Sequence, residues 1–296
     1  MKNKIAIASA FFAASSFSFA EIALTESLSV EGFVNTQYTD GNGTQDATFD
    51  LEEVEISFLF ESGDVSARID TDYIGAFGTG DLDQAFISYD VFGGTVSAGL
   101  MDSQLGFEAF EAPGLYTNTL AYSNGVNSQL PATDEGIKFT KQLDAVSSIG
   151  VALSNGGGTF IGDESNGGDT TIEVAYGRDL GNGIGAFVGF RSDNQSNDLI
   201  NAYVTYETGA YTFAAEIVDG ETTTDYQLLA NYAYADNASV TVRYTTEEVV
   251  GGDDIDVLTL AHQLALADNL CLTSEFSDNG AATEDQLFSV SLLFTF

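Results

Sequence analysis

Between residues 53 and 73 the chain alternates between two kinds of side chain, and only one tight turn interrupts the pattern. Val54, Ile56, Phe58 and Phe60 interleave with Glu53, Glu55, Ser57 and Glu61. After Ser62-Gly63-Asp64, Val65, Ala67, Ile69, Thr71 and Tyr73 interleave with Ser66, Arg68, Asp70 and Asp72. Successive side chains of a strand point to opposite faces, so this is a hairpin with one apolar and one charged side. The same period closes the chain, where Phe288, Val290, Leu292, Phe294 and Phe296 share a face. Apolar faces on strand after strand need something to lie against, and composition decides what that is.

Eight basic residues stand against 45 acidic ones, a formal charge of −37. Nucleic acid is excluded as a partner, because that affinity rests on cations neutralising phosphates. Yet 44% of residues are hydrophobic and 12% aromatic, too many for a disordered acidic chain. Glycine is abundant at 31 and proline scarce at 2, which suits many strands joined by tight turns. No run after residue 20 is apolar enough for a membrane helix. If the apolar faces meet lipid, one architecture remains, the closed barrel, because unpaired backbone groups are too costly in hydrocarbon. An Arg or Lys facing lipid at mid-bilayer costs about 2–4 kcal/mol, so Arg68 is expected to point into the lumen. Trp is absent, so an aromatic girdle would be built from the 13 Tyr and 22 Phe.

The pattern extends to about sixteen antiparallel strands. Their expected spans are 28–38, 49–61, 65–74, 82–91, 95–101, 134–142, 148–154 and 170–178 in the first half. The second half holds 183–191, 199–207, 210–218, 225–234, 238–245, 254–264, 269–276 and 286–296. Every second connection is short: 62–64, 92–94, 143–147, 179–182, 208–209, 235–237 and 265–268. Those between tend to be longer, including 39–48, 101–133, 155–169, 246–253 and 277–285. Short turns at one end and longer loops at the other mark a transmembrane barrel, and a soluble sandwich has no reason to keep that parity.

Lys2 and Lys4 precede an apolar run from Ile5 to Phe19, then Ser18-Phe19-Ala20 before Glu21. This is the layout of a cleaved secretory signal peptide, residues 1–20, leaving 21–296 as the barrel. The alternation at Phe288, Val290, Leu292, Phe294 and Phe296 resembles the C-terminal signal read by the bacterial outer-membrane insertion machinery.

One connection stands apart. Residues 101–133 carry few strand signals but include Leu105, Phe107, Phe110, Leu115, Tyr116, Leu120 and Tyr122, with Pro113-Gly114 expected to turn sharply. It is too apolar for a solvated tail, and by strand count it is the third external loop. Gln84 to Tyr89, Gly99, Gly106-Phe107-Glu108, Tyr122-Ser123, Gly136, Val151 and Asn155-Gly156 together resemble the OmpL-like β-barrel porin family of Gram-negative bacteria. Where that pattern carries a proline before the loop glycine, this chain has Ser103-Gln104-Leu105. The resemblance implies an outer-membrane diffusion channel for small hydrophilic solutes, its third loop folded into the lumen, and a homotrimeric assembly. Its partners would be outer-membrane lipids, the insertion machinery, small solutes and cations, with no cofactor.

Charge rings set the selectivity of such channels, acidic ones favouring cations. The candidate pore-lining residues are Glu53, Glu55, Asp70 and Asp72 on the strands, Glu108 and Glu111 on the loop, and the bases Arg68 and Arg243. Their acidic excess implies a weak cation preference. Three rival readings exist. An outer-membrane enzyme needs a general base, and the single histidine, His262, sits near a short turn instead of at the external mouth. A plugged structural or adhesive barrel would not conduct. The acidic loops Asp40 to Asp46 and Gly162 to Asp169 offer oxygen ligands for Ca²⁺, but neither has the EF-hand spacing. Cys271 is the only cysteine, which excludes an internal disulfide and Cys-cluster zinc sites, and it is read as an inward-facing small residue.

Overall fold

The computed structural model describes residues 21–42, 47–72, 81–108, 111–121, 130–155, 170–192, 198–221, 223–280 and 285–296. The expected leader at 1–20 lies outside them. A two-residue strand, β1 (Ile22–Ala23), pairs with the start of β2 (Leu28–Gly41). Then follow β3 (Thr48–Ser62), β4 (Val65–Asp72), β5 (Asp81–Val91), β6 (Gly94–Asp102), β7 (Thr133–Gln142) and β8 (Ser147–Asn155). The second half comprises β9 (Thr170–Gly181), β10 (Ile184–Ser192), β11 (Leu199–Thr208), β12 (Tyr211–Asp219) and β13 (Thr223–Ala235). It ends with β14 (Ala238–Val249), β15 (Ile255–Ala267), β16 (Leu270–Asn279) and β17 (Asp285–Thr295).

Each strand from β2 to β17 pairs antiparallel with its sequence neighbour, and β17 pairs with β2, closing a sixteen-stranded barrel. The seam runs from Leu287↔Gly41 to Thr295↔Phe33. Beyond it, Phe296 N–H donates to Gly32 O (2.9 Å) and Gly32 N–H to Phe296 O (2.8 Å). A Cβ at residue 32 would overlap the Glu55 carbonyl, so this position requires glycine for β2 to approach β3. The expected strands are all present, with ends displaced by a few residues. Short turns alternate with longer connections, with one exception: the β12–β13 connection at the loop end is only residues 220–222.

Burial is inverted relative to a soluble protein. Ser289 is 1% exposed and its neighbour Phe288 45%. Phe58, Phe60, Ile69, Ile87, Ile137 and Leu153 are exposed on the outer wall, while Ser57, Asp70, Gln84, Ser88 and Ser154 are buried inside. Only a surrounding apolar solvent makes that arrangement favourable. Near the short turns the outer wall carries a string of rings. Tyr206, Phe213, Tyr211, Tyr232 and Tyr234 follow one another at centroid spacings of 4.6 to 6.5 Å, ending on His262. This is the Tyr and Phe belt expected in the absence of Trp.

Leu260 sits mid-strand on the outer face of β15. Its replacement by Arg is expected to lower unfolding free energy in lipid vesicles by about 2–4 kcal/mol. Denaturant titration measures this, and an unchanged midpoint and slope would mean that this face does not meet hydrocarbon.

Candidate functional site

The connection from β6 to β7 enters the barrel and lies along its inner wall. Its apolar residues are buried there: Leu105, Leu115 and Tyr116 are each about as hidden as a soluble core. The wall meets them with apolar side chains at inward positions otherwise held by polar ones. Leu105 packs with Leu199 and Val218, Tyr116 with Ala214 and Leu229, and Ala112 with Phe33, Cys271 and Leu293. Two wall glycines complete the seat. A Cβ at Gly150 on β8 would collide with the Gln104 amide, and one at Gly189 on β10 with the Leu105 methyl. Phe187 and Tyr203 stack at 4.6 Å, Tyr203 meets Phe107 edge-on at 5.6 Å, and Phe107 stacks on Tyr116 at 6.1 Å.

Polar wall residues grip the loop strand by strand. Glu173 of β9 accepts from Ser103 Oγ (2.7 Å) and Gln104 N–H (2.8 Å). Asn201 of β11 accepts from Gly106 N–H (2.9 Å), and Glu216 of β12 from Phe107 N–H (2.8 Å). Glu108 receives Gln227 Nε2 (2.8 Å) and Arg243 Nη1 (3.0 Å). Arg243 also donates to Thr117 Oγ1 (2.7 Å), Thr119 Oγ1 (2.8 Å) and the Leu120 carbonyl (3.1 Å). Glu275 of β16 accepts from Thr119 Oγ1 (2.7 Å), and Asn118 Nδ2 donates to Ser289 of β17 (2.9 Å).

These contacts revise part of the sequence reading. Glu108 and Arg243, expected to line the channel, pair with each other behind the loop. With Arg243 only 1% exposed, they act as a clamp and are not lumen charges. The expected turn at Pro113-Gly114 is a single 3₁₀ turn, Ala112–Gly114. Cys271 is buried under that turn, facing inward as expected. Phe110, Tyr122 and Ser123 lie outside the described residues, as do residues 43–46 and 162–169 of the acidic loops.

The remaining candidates gather on β2 to β5, where the loop tip arrives. Arg68 Nε donates to Asp70 (2.6 Å), and its two terminal nitrogens reach Glu31 (3.3 Å) and Glu55 (3.7 Å). Arg68 therefore sits among the acids, not opposite them. Asp72 is buried on the same inner face of β4, and Glu53 lies close to Asp72, Glu55 and the Ala112 backbone. Glu55, Asp83 and Glu111 bring carboxylate oxygens within 4.8 Å of one another, spacing that suits a hard cation with oxygen ligands. Burial first, then the charges of Glu55 and Asp102, push the Glu111 carboxyl well above its usual range.

Asp83 escaped the sequence reading because alternation assigns it to lipid. A register shift between Asp70 and Thr71, opposite Gln84 and Leu82, makes it the extra residue of a bulge and turns it inward. Arg191 pairs with Asp134 and with Glu173 (3.7 Å), a further inner ion pair that went unremarked. His262 faces outward, its Nε2 2.7 Å from Tyr234 Oη, in the aromatic belt at the short-turn end.

No protein-family model matches the chain, and no curated protein matches it in sequence. Solved structures do resemble it. An engineered variant of the Rh. blastica porin superposes with a TM-score of 0.68 at 15% identity, over 91% of this chain and 100% of that one. A loop-deletion variant of OmpT, an outer membrane protein of Vibrio cholerae, gives 0.63 at 13% identity, over 91% of this chain and 99% of that one. At such identities the likeness establishes the fold alone: a closed antiparallel barrel of the kind outer-membrane porins have.

Proposed function

We propose that the chain is an outer-membrane porin of the OmpL-like kind, a water-filled passage for small hydrophilic solutes with a weak preference for cations. The observation that carries this reading is the inserted loop. It runs along the polar inner wall from β9 round to β17, bringing Glu111 against Glu55 and Asp83 and the Ala112 backbone against Glu53. A barrel with an apolar exterior, a charged interior and a narrowed waist passes what is small and hydrated. Acids outnumber bases around Arg68, which favours cations and disfavours phosphate-like anions. An enzyme based on histidine is disfavoured by the outward position of His262. Residues 1–20 fit the role of an export signal, and the outer membrane of the neighbours suits this barrel's exposed apolar wall and aromatic girdle.

Purified protein in a planar bilayer under a KCl gradient is expected to give open-channel steps and a reversal potential of cationic sign. Absence of conductance would favour a plugged structural barrel, and an anionic sign would overturn the preference. Replacing Glu53 and Glu111 together by Gln is expected to move the permeability ratio toward unity. Because burial and the neighbouring acids raise the Glu111 carboxyl, its charge develops as the pH climbs, so cation preference should increase toward alkaline pH and Glu111→Gln should diminish that increase. Arg243→Met leaves Glu108 buried without its partner, a loss of about 3–5 kcal/mol in the loop's seating. The strand ladder persists, the loop loosens, and single-channel conductance increases. Unaltered conductance in a folded variant would show that the clamp does not set the waist.

A further inference from the structure

Six basic residues occur after residue 20, and they divide by where they point. Arg68, Lys138, Arg191 and Arg243 face inward, and the three arginines are ion-paired with protein carboxylates. Lys141 on β7 and Arg178 on β9 face outward. Lys141 shares its face with the exposed Ile137, and Arg178 with the exposed Ile172. Both lie within three residues of the end of a strand that enters a short turn, the level at which a barrel wall passes from hydrocarbon to headgroups.

Neither outer cation has a carboxylate within 4.0 Å among the described residues. Arg178 is held by two hydroxyls: its Nη1 donates to Ser147 Oγ (3.1 Å) and to Tyr176 Oη (3.3 Å). Its Nε and Nη2 make no hydrogen bond to a described residue. Lys141 Nζ spends one proton on the Phe92 carbonyl (3.0 Å). Asp144, in the β7–β8 turn, feels the charge of Arg178 from beyond ion-pair distance. Its carboxyl lies below the usual range chiefly through the Val146 N–H, with Arg178 a lesser cause. Leu143, Leu180 and Phe92, in or beside the adjoining turns, are all exposed. Acyl chains suit those residues, and a phosphate suits the unspent guanidinium donors.

We propose that the outer face of β7 to β9 at the short-turn end binds the phosphate of an anionic phospholipid in the adjoining leaflet, with Arg178 as the main contact and Lys141 as the second. In a chain this acidic, two cations set at headgroup level with no carboxylate within 4.0 Å among the described residues take their anion from the membrane. The inference rests on the barrel lying in a membrane and is independent of whether it conducts.

The test is native mass spectrometry of the detergent-purified protein titrated with phosphatidylglycerol or phosphatidylcholine, for the parent, Arg178→Gln, Lys141→Gln and the double variant. Heat-modifiable mobility confirms that each variant is folded. Phosphatidylglycerol is expected to be retained preferentially, with affinity falling about five-fold for each cation removed, while phosphatidylcholine binding stays the same. Equal retention of the two lipids by the parent, or undiminished phosphatidylglycerol binding by a folded Arg178→Gln, would overturn the proposal. So would full displacement of the lipid by millimolar inorganic phosphate, which would make this a simple anion site. Loss of a dimer or trimer mass in the variants, with lipid binding intact, would assign the face to a second copy instead. A failed bilayer recording would sink the channel reading and leave these outcomes unchanged.

Discussion

In hydrocarbon a peptide group has no water to fall back on, and an unpaired N–H or C=O costs several kcal/mol. The backbone ladder must therefore close, and the whole molecule depends on the seam where β17 meets β2. The last residue takes part: Phe296 exchanges both of its backbone hydrogen bonds with Gly32. Once the ring is shut, strand alternation sorts every side chain into one of two solvents. The apolar half needs no protein partner, and the polar half encloses water or whatever replaces it.

What replaces it, over much of the wall, is the loop between β6 and β7. It serves as a small core inserted from outside the ladder, held by three apolar clusters and a run of polar contacts. The clamp at Arg243 and Glu108 is buried, yet nearly every donor in it has an acceptor, the condition under which a buried ion pair can be sustained. On the opposite arc Arg68, Glu53, Asp83 and Glu111 are only partly buried, with Glu55 and Asp70 covered among them. The loop has two jobs in consequence: its body fills space, and its tip brings a carboxyl to the acids of β3 and β5.

Most of the architecture could be read from residues alone, because alternation is a period-two signal that lipid enforces on every strand. Length and apolar content singled out the connection from 101 to 133, and the porin resemblance implied that it enters the barrel. What alternation hid were its own exceptions. The bulge that turns Asp83 inward adds one residue and so inverts parity locally. Phe33, Leu199, Val218, Leu229 and Leu293 look like lapses in the inward polar face, yet together they map the loop's footprint. Glu108 and Arg243 were placed in the lumen because charge implies water. Their mutual pairing depends on a fold of the loop that no strand pattern encodes.

The seating of the loop also constrains how such a chain can drift over generations. Gly189 and Leu105 occupy one volume between them, and Gly150 and Gln104 another. Arg243, Glu108 and Gln227 share a single balance of charge and donors. A change at one member is tolerated only where the other has already altered, so inheritance should treat each set as a unit. Kindred chains are expected to exchange these residues in concert, while the greasy outer positions wander freely among Leu, Val, Ile and Phe.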